Sequence, residues 1–327
     1  MNKALPVLFF FMVMLSGCVE HFISINVHPD GAYALEFISR GDSTDIFDDD
    51  FPHPAGGKRW TQHIWSDRTD KDTTWIMETR GYIERDMKIM SSDEELGALI
   101  HPMSIEIKKR WISTLYTAKY IFKGREIYRK YPRLGESLDS SASSDSIEWI
   151  TEALVFIVSS ALNDMEKNPK NELTSFLIER MTTHVRNYTE RVKSKKLVIE
   201  LSDKRAEFLR KLFNPFKNDV KSSFYENLDD AMFPYEEELR ITTGLQDDRF
   251  SFHLTLPGLV TRSNADTLSG DTLQWMFELG DFAGDDYIME AISVVYKTKE
   301  IQKISIIVIL FGLFGWFFLW ITVFRKT

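Results

Sequence analysis

The chain predicts an α+β fold: an antiparallel β-sheet with an inserted helical block, followed by one C-terminal transmembrane helix. Three observations carry this. Residues 20–39, and several runs after Pro234, alternate apolar and polar side chains with the period of strands. Between them the period changes to that of helices. Residues 304–324 are apolar and carry no charge. The divisions are an export segment at 1–17, a β-rich part at 18–140, a helical insertion at 141–233, a second β-rich part at 234–300 completing the same sheet, and the membrane span at 304–324.

Residues 20–39 read as a hairpin. Ile23, Ile25 and Val27 share one face, and Pro29-Asp30-Gly31 supplies the turn. Residues 41–57 form an acidic loop. Strands are expected near Thr73–Ile83 and across Ser104–Tyr128, and the Ser-rich run 133–144 reads as a connector. Asp145 and Glu148 resemble a capping box, and Ile147, Ile150, Leu154, Ile157 and Ala161 follow at helical spacing. The uncharged run Ala153–Leu162 is too short to span a bilayer, so it is a buried helix. A second helix covers Asn171–Val192. Ser202 is expected to cap a third that ends before Pro215, and 216–232 is a fourth. After Pro234, residues 239–243, 249–256, 272–277 and 287–296 are β-like. The last strand stops near Tyr296, just before the span. The first and last strands are therefore expected to be antiparallel neighbours that both meet the membrane.

The two ends carry different membrane signals. The C-terminal run matches a hydrocarbon core near 30 Å at about 1.5 Å per residue. Arg325 and Lys326 follow it, which places the C-terminus in the cytoplasm and the body outside. Ala4–Leu15 is only about half a span, and with Lys3 before it reads as an export signal. Leu15-Ser16-Gly17-Cys18 resembles the lipobox of bacterial lipoproteins. That resemblance implies cleavage before Cys18 and acylation of its thiol. Cys18 is the only cysteine, so the chain forms no internal disulfide. The expected location is the bacterial cytoplasmic membrane, with the body on the periplasmic or extracellular side.

The body holds 36 of the 40 basic residues and all 49 acidic ones, a formal charge of −13. Such a balance argues against nucleic acid as a partner. Asp42, Asp45, Asp48, Asp49 and Asp50 cluster beside Phe47 and Phe51. Clustered carboxylates suit Ca²⁺, but the spacing departs from the Asp-x-Asp-x-Asp-Gly loop; the alternative is a solvated or partner-facing loop. Apart from that Ca²⁺ alternative no cofactor is expected. His28, His53 and His101 each precede a proline near a turn and read as turn or surface residues rather than zinc ligands. Arg186, Arg191, Lys193, Lys195 and Lys196 form the one basic face, suited to anionic headgroups or an acidic partner.

Leu256-Pro257-Gly258, Ser263-Asn264-Ala265, Thr272-Leu273-Gln274-Trp275 and Ala291-Ile292-Ser293 are similar to LppM-like bacterial lipoproteins. The resemblance implies a lipidated N-terminus, a small α/β domain, a C-terminal transmembrane helix, and handling of envelope lipid or glycolipid. No nucleophile elbow, His-Glu-x-x-His or phosphate loop is present. The expected function is a non-catalytic, membrane-tethered envelope lipoprotein that binds a lipid, glycan or protein partner. The alternative is a tethered hydrolase using paired carboxylates.

Overall fold

The computed structural model describes residues 19–47, 50, 51, 53, 54, 60–68, 73–84, 102–139, 149–192 and 194–324. Cys18 and the capping box at 145–148 lie outside them. The strands are β1 (Glu20–Val27), β2 (Tyr33–Gly41), β3 (Trp60–Arg68), β4 (Thr73–Ile83), β5 (Met103–Lys109), β6 (Ser113–Phe122), β7 (Arg249–Thr255), β8 (Leu259–Ser263), β9 (Thr267–Ser269), β10 (Thr272–Glu278) and β11 (Tyr287–Tyr296). The helices are α1 (Ser43–Ile46), α2 (Ile127–Lys130), α3 (Pro132–Asp139), α4 (Trp149–Glu166), α5 (Ser175–Thr189), α6 (Ser194–Leu212), α7 (Phe224–Gly244), α8 (Leu279–Phe282) and α9 (Thr298–Phe324).

The fold is α+β, with the strands shared between two sheets. A seven-stranded sheet runs β3-β4-β2-β1-β7-β10-β9, and a four-stranded sheet runs β5-β6-β11-β8. β1 lies at the centre of the larger sheet and pairs with β7 in parallel. β11 pairs with β6 and β8 in the other sheet. The first and last strands are therefore not neighbours, contrary to the expectation from chain order. β3 escapes the sequence reading because all of it but Trp60 is exposed, so no inward face imposes an alternation. Trp60 lies across from Gly81, and its ring covers the place where a Cβ would stand.

The helical insertion follows its sequence signals in α4, whose residues Ile150, Leu154, Ile157 and Ala161 are buried. Thr174 caps α5 by accepting the Leu177 N–H at 3.3 Å. Three expectations are corrected. The connector at 133–144 contains α3, which opens on Pro132, where a missing N–H costs nothing. The third helix begins at Ser194, and the cap signal read at Ser202 falls beside a kink at Lys204. α7 continues through Pro234, so 239–243 is helical rather than a strand. There Leu239, Ile241 and Thr242 are buried on a helix that packs along α4. That tertiary burial outweighs the local cost of the proline.

Aromatic contacts fix the polarity of the two sheets. Phe122 meets Phe250 at 5.3 Å and Tyr120 meets Phe252 at 4.6 Å between ring centroids. Phe250 and Phe252 stand opposite His21 and Ile23, near the start of β1. At the other end, the Tyr116 hydroxyl donates to the Pro29 carbonyl in the β1–β2 turn, at 2.7 Å. β11 is antiparallel to β6, with Tyr296 opposite Ser113. β11 thus stops at the β1–β2 turn, about 25 Å of strand away from the start of β1. The first and last strands meet opposite ends of the sandwich, which corrects the expectation that both reach one membrane face.

The helical block sits at the end where β1 starts. Arg125, just past β6 and buried, donates from Nε to Thr242 Oγ1 at 2.9 Å and from Nη2 to the Glu238 carbonyl at 3.0 Å. This ties the end of α7 to the sandwich. α9 leaves from the opposite end. Its segment Thr298–Phe318 is long and apolar enough to cross a membrane, and 0% of it is buried.

Two glycines give a test of backbone demand. Gly258 has φ 85°, and a Cβ there would stand 2.4 Å from the Val294 carbonyl oxygen. Gly270 has φ 65° with nothing within 4 Å. Gly270→Ala is expected to cost about 1 kcal/mol, the left-handed strain alone. Gly258→Ala adds the clash and is expected to cost about 3 kcal/mol. Urea unfolding of the two variants measures the difference, and equal losses would contradict the close approach.

Candidate functional site: a basic cleft in the helical block

The helical block opens a cleft of about 1080 Å³. Helical spacing builds its walls. Glu152, Val155, Phe156 and Ser159 lie at i, i+3, i+4 and i+7 on α4, and Thr182, Arg186 and Thr189 at i, i+4 and i+7 on α5. Arg129, Lys130 and Arg133 close it from α2 and α3, and Glu190 and Lys195 lie at its α5–α6 corner. Five cations and two carboxylates line it, and Glu126 and Glu238 hold Arg129 and Lys130 from just outside, which leaves a local balance of one positive charge in a chain of net charge −9.

The cations are not equivalent. Lys130 is held by Glu126 and Glu238, Arg129 is bonded to Glu126, and Arg133 Nε stands 3.9 Å from Glu152. Arg186 and Lys195 are exposed, and no ion pair engages either among the described residues. They are the charges an incoming anion would meet without displacing an internal partner. Glu152 is the other unusual group. Its Oε2 accepts the Arg133 N–H at 3.4 Å, while Oε1 is buried without a partner among the described residues. Burial raises its pKa above the ordinary carboxyl value, against the pull of Arg133. A carboxyl in this state holds a proton and donates a hydrogen bond more readily than an exposed one. The Ser159 and Thr189 hydroxyls donate to the Val155 and Arg186 carbonyls of their own helices. Behind the wall, the buried Tyr131 ring meets Phe156 edge-on at 5.1 Å, and its hydroxyl has no partner among the described residues.

Two residues of the basic face expected from sequence, Arg186 and Lys195, therefore line the cleft. Arg191 is exposed outside it, and Lys193 and the Lys196 side chain lie outside the described residues. Sequence reasoning missed Arg129, Arg133, Glu152 and Thr182. One signal was available: Glu152 and Ser159 interrupt the apolar α4 on one face.

The acidic loop does not close as a cluster in the described residues. Thr44 N–H donates to Asp42 Oδ1 at 2.7 Å, an Asx turn opening α1. Asp50 is buried, its carboxylate beside Gly244, where a Cβ would come within 2.6 Å of Oδ2. Asp48, Asp49 and the Asp45 side chain lie outside the described residues. Phe51 is buried in the core, and Phe47 is exposed, edge-on to Trp75 at 5.6 Å. Among the described residues, no group of three or more His, Cys, Asp or Glu side chains is placed to hold a metal ion.

His53 corrects the expectation of a surface histidine: it is 7% exposed. It belongs to a buried chain at the start of β1. Thr79 Oγ1 lies 3.0 Å from His53 Nδ1, Ser39 Oγ lies 2.7 Å from both His53 Nε2 and His21 Nδ1, and His21 Nε2 lies 3.1 Å from Asp248 Oδ2. Because the Asp248 carboxylate accepts, His21 Nε2 donates. With neutral rings every bond then points one way, from Thr79 through His53, Ser39 and His21 to Asp248. Acid, imidazole and hydroxyl in series resemble a nucleophile relay, but all five groups are buried, and Phe51 and Phe250 flank His21 at 4.5 and 4.9 Å. The chain satisfies core polar groups. His21 and Ser39 share the inward strand parity of Ile23 and Phe37, so their burial was legible in sequence; their partners were not. His28 is exposed, and His101 lies outside the described residues.

No family model and no curated protein sequence matches the chain. Among solved structures it is similar to the folded domain of the Mycobacterium tuberculosis LppM protein. Identity is 9%, the TM-score is 0.29, and the match covers 87% of this chain and 94% of that one. A likeness of that size carries no argument about fold or function. The class follows from the structure: a two-sheet α+β protein carrying a helical block and one exposed apolar helix of membrane-spanning length.

The buried histidine gives a pH test. Burial first, and the His21 charge second, push His53 down to about 3 from an ordinary 6.5. The folded state therefore favours neutral His53. That stability is complete above pH 6.5 and is lost as pH falls toward 3. It amounts to about 3 kcal/mol by pH 4. His53→Gln removes the titration, so thermal unfolding in detergent is expected to fall less steeply between pH 7 and 4 than in the parent chain. Parallel curves would show that His53 is not held neutral.

Proposed function

We propose that this chain is a non-catalytic, membrane-tethered binding protein of a bacterial envelope. It holds an anionic group of a lipid, glycan or protein partner in the helical-block cleft. The two cleft cations that no ion pair engages among the described residues, Arg186 and Lys195, support this reading most directly. A phosphate or carboxylate is the natural guest, since Arg186 offers a planar fork and Lys195 a point charge. α9 serves as the tether, and the cleft belongs to the block at the far end of the sandwich. The export segment, acylation of Cys18 and an extracytoplasmic body complete the reading, and they rest on the sequence signals alone. Lys297, Lys299 and Lys303 precede the apolar run while Arg325 and Lys326 follow it, so flanking charge alone does not orient the helix.

The test is retention of an anionic ligand by the full chain purified in mild detergent, read by native mass spectrometry. Arg186→Glu with Lys195→Glu is expected to abolish retention and to remove the salt dependence of binding, with Tm within a few degrees of the parent. Retention unchanged by the double reversal would refute the cleft as the site.

A second reading has one observation in its favour. Glu152 is an acid with a raised pKa in a cleft that also contains the carboxylate Glu190, the pairing a hydrolase of glycosidic or ester bonds requires. In that reading Glu152 is the general acid. Glu152→Gln would then end turnover of an envelope glycan or ester while leaving ligand retention intact. A change in retention without any turnover in the parent chain favours the binding protein.

A further inference from the structure

We propose that the end of the sandwich from which α9 departs is a lipid-docking collar, seating the body on the anionic surface of the bilayer that holds α9. The proposal rests on α9 being the membrane span.

Three turns and strand ends meet there. Lys297 N–H donates to the Ile112 carbonyl at 2.9 Å, and Lys297 Nζ donates to the Arg110 carbonyl at 2.6 Å. This locks the β5–β6 turn against the last residue before α9. Leu259, at the start of β8, stands opposite Val294, and Tyr296 closes β11. The side chains gathered in this way are exposed: Trp111 at 76%, Leu259 at 64%, Tyr296 at 54% and Ile112 at 40%. Large apolar groups normally avoid water, so a contiguous set at one strand end marks a surface that is covered in use.

Two features identify the occupant as lipid. Thr298 opens α9 directly after Lys297, so the patch is continuous with the helix and stands about six residues, roughly 9 Å, before the uncharged run 304–324, the depth of the headgroup layer. The composition is that of an interface: a tryptophan and a tyrosine among aliphatics, ringed by Lys109, Arg110, Lys297 and Lys299. Glu106 is offset by Lys108 at 3.0 Å and Glu300 by Lys303 at 2.9 Å, which leaves Asp30 against the four cations. The collar therefore presents net positive charge on a body that is acidic as a whole. Anionic headgroups suit it; repulsion elsewhere leaves this end the favoured one.

The experiment places single cysteines in a full-length Cys18→Ser background, labelled with an environment-sensitive dye. Trp111→Cys reports the collar, Lys123→Cys reports the opposite end of the sandwich, and Phe314→Cys reports the span. The chain is reconstituted in phosphatidylcholine vesicles, with or without phosphatidylglycerol, containing brominated acyl chains. The expected result is quenching at 314 and at 111 but not at 123. At 111 it should be stronger with phosphatidylglycerol and weakened by adding Lys109→Glu and Arg110→Glu. Quenching at 314 without quenching at 111 overturns the collar while leaving the span. Dye self-quenching between copies at 111, in place of bromolipid quenching, overturns it in favour of a dimer contact. Absence of quenching at 314 overturns both.

Discussion

The packing of Tyr120 and Phe122 against Phe252 and Phe250 is the contact on which the rest of the arrangement depends. It sets one sheet over the other with a fixed polarity. Once Phe122 lies over the start of β1, everything that follows β6 emerges at that end, including Arg125 and the helical block it clamps. Everything antiparallel to β6 runs the other way, so β11 delivers α9 to the far end. The separation of cleft from helix is thus a consequence of core packing and strand direction. Interior aromatics of this kind interdigitate too closely to slip, and a shift of one residue would turn every inward ring to solvent.

The junction between sandwich and helices is polar, and it is built to tolerate burial. Arg125 is buried, and burial lowers its pKa, an effect that the carboxylate of Glu238 opposes. Its fork still finds the Thr242 hydroxyl and the Glu238 carbonyl. Thr242 in turn donates to that same Glu238 carbonyl at 2.7 Å. Beside it the chain from Thr79 to Asp248 threads the start of β1, with a carboxylate at its end to set the direction of every proton. Such networks are costly when half satisfied and specific when complete. This one ties β1, β2, β4 and the segment before β7 together where the helical insertion returns to the sheet.

Much of this was legible in the sequence where one face is buried. The β1–β2 hairpin, α4 and strands β7, β10 and β11 each show the period that burial imposes. The reading failed where tertiary context outweighed local pattern. Pro234 reads as a stop, yet burial on both sides carries α7 through it. β3 carries no alternation because it has no inward face. Distribution over two sheets was hidden because pairing depends on residues far apart, such as Phe122 with Phe250. The cleft was half legible. Arg186 and Lys195 stood out as cations, whereas Arg129, Arg133 and Glu152 join them only through the packing of α2 and α3 on α4. The similarity to LppM-like lipoproteins stays where the residues left it, as a resemblance of short segments.

The opposed ends bear on the two membrane signals. Val19 is buried, and the Arg249 N–H bonds its carbonyl at 2.9 Å, so the chain is pinned from the residue that follows Cys18. An acyl group on the residue before Val19, if the sequence signal is used, would have no linker to the sandwich. An upright body, resting on the end that carries Trp111 and Tyr296, holds Val19 about a strand length above that surface. An acyl chain gains its anchoring free energy only where its methylenes leave water. Lipid on Cys18 and a seated collar are therefore compatible in one bilayer only if the sandwich tips onto its side, which lifts part of the collar away. The alternative is that the lipid enters a second, facing surface, with the body as a strut between the two. If both anchors form, they are not redundant in either arrangement. The sheet that separates them turns a question of address into one of orientation, decided by whether the interfacial residues at the α9 end or the acyl group at the other end contribute the larger free energy.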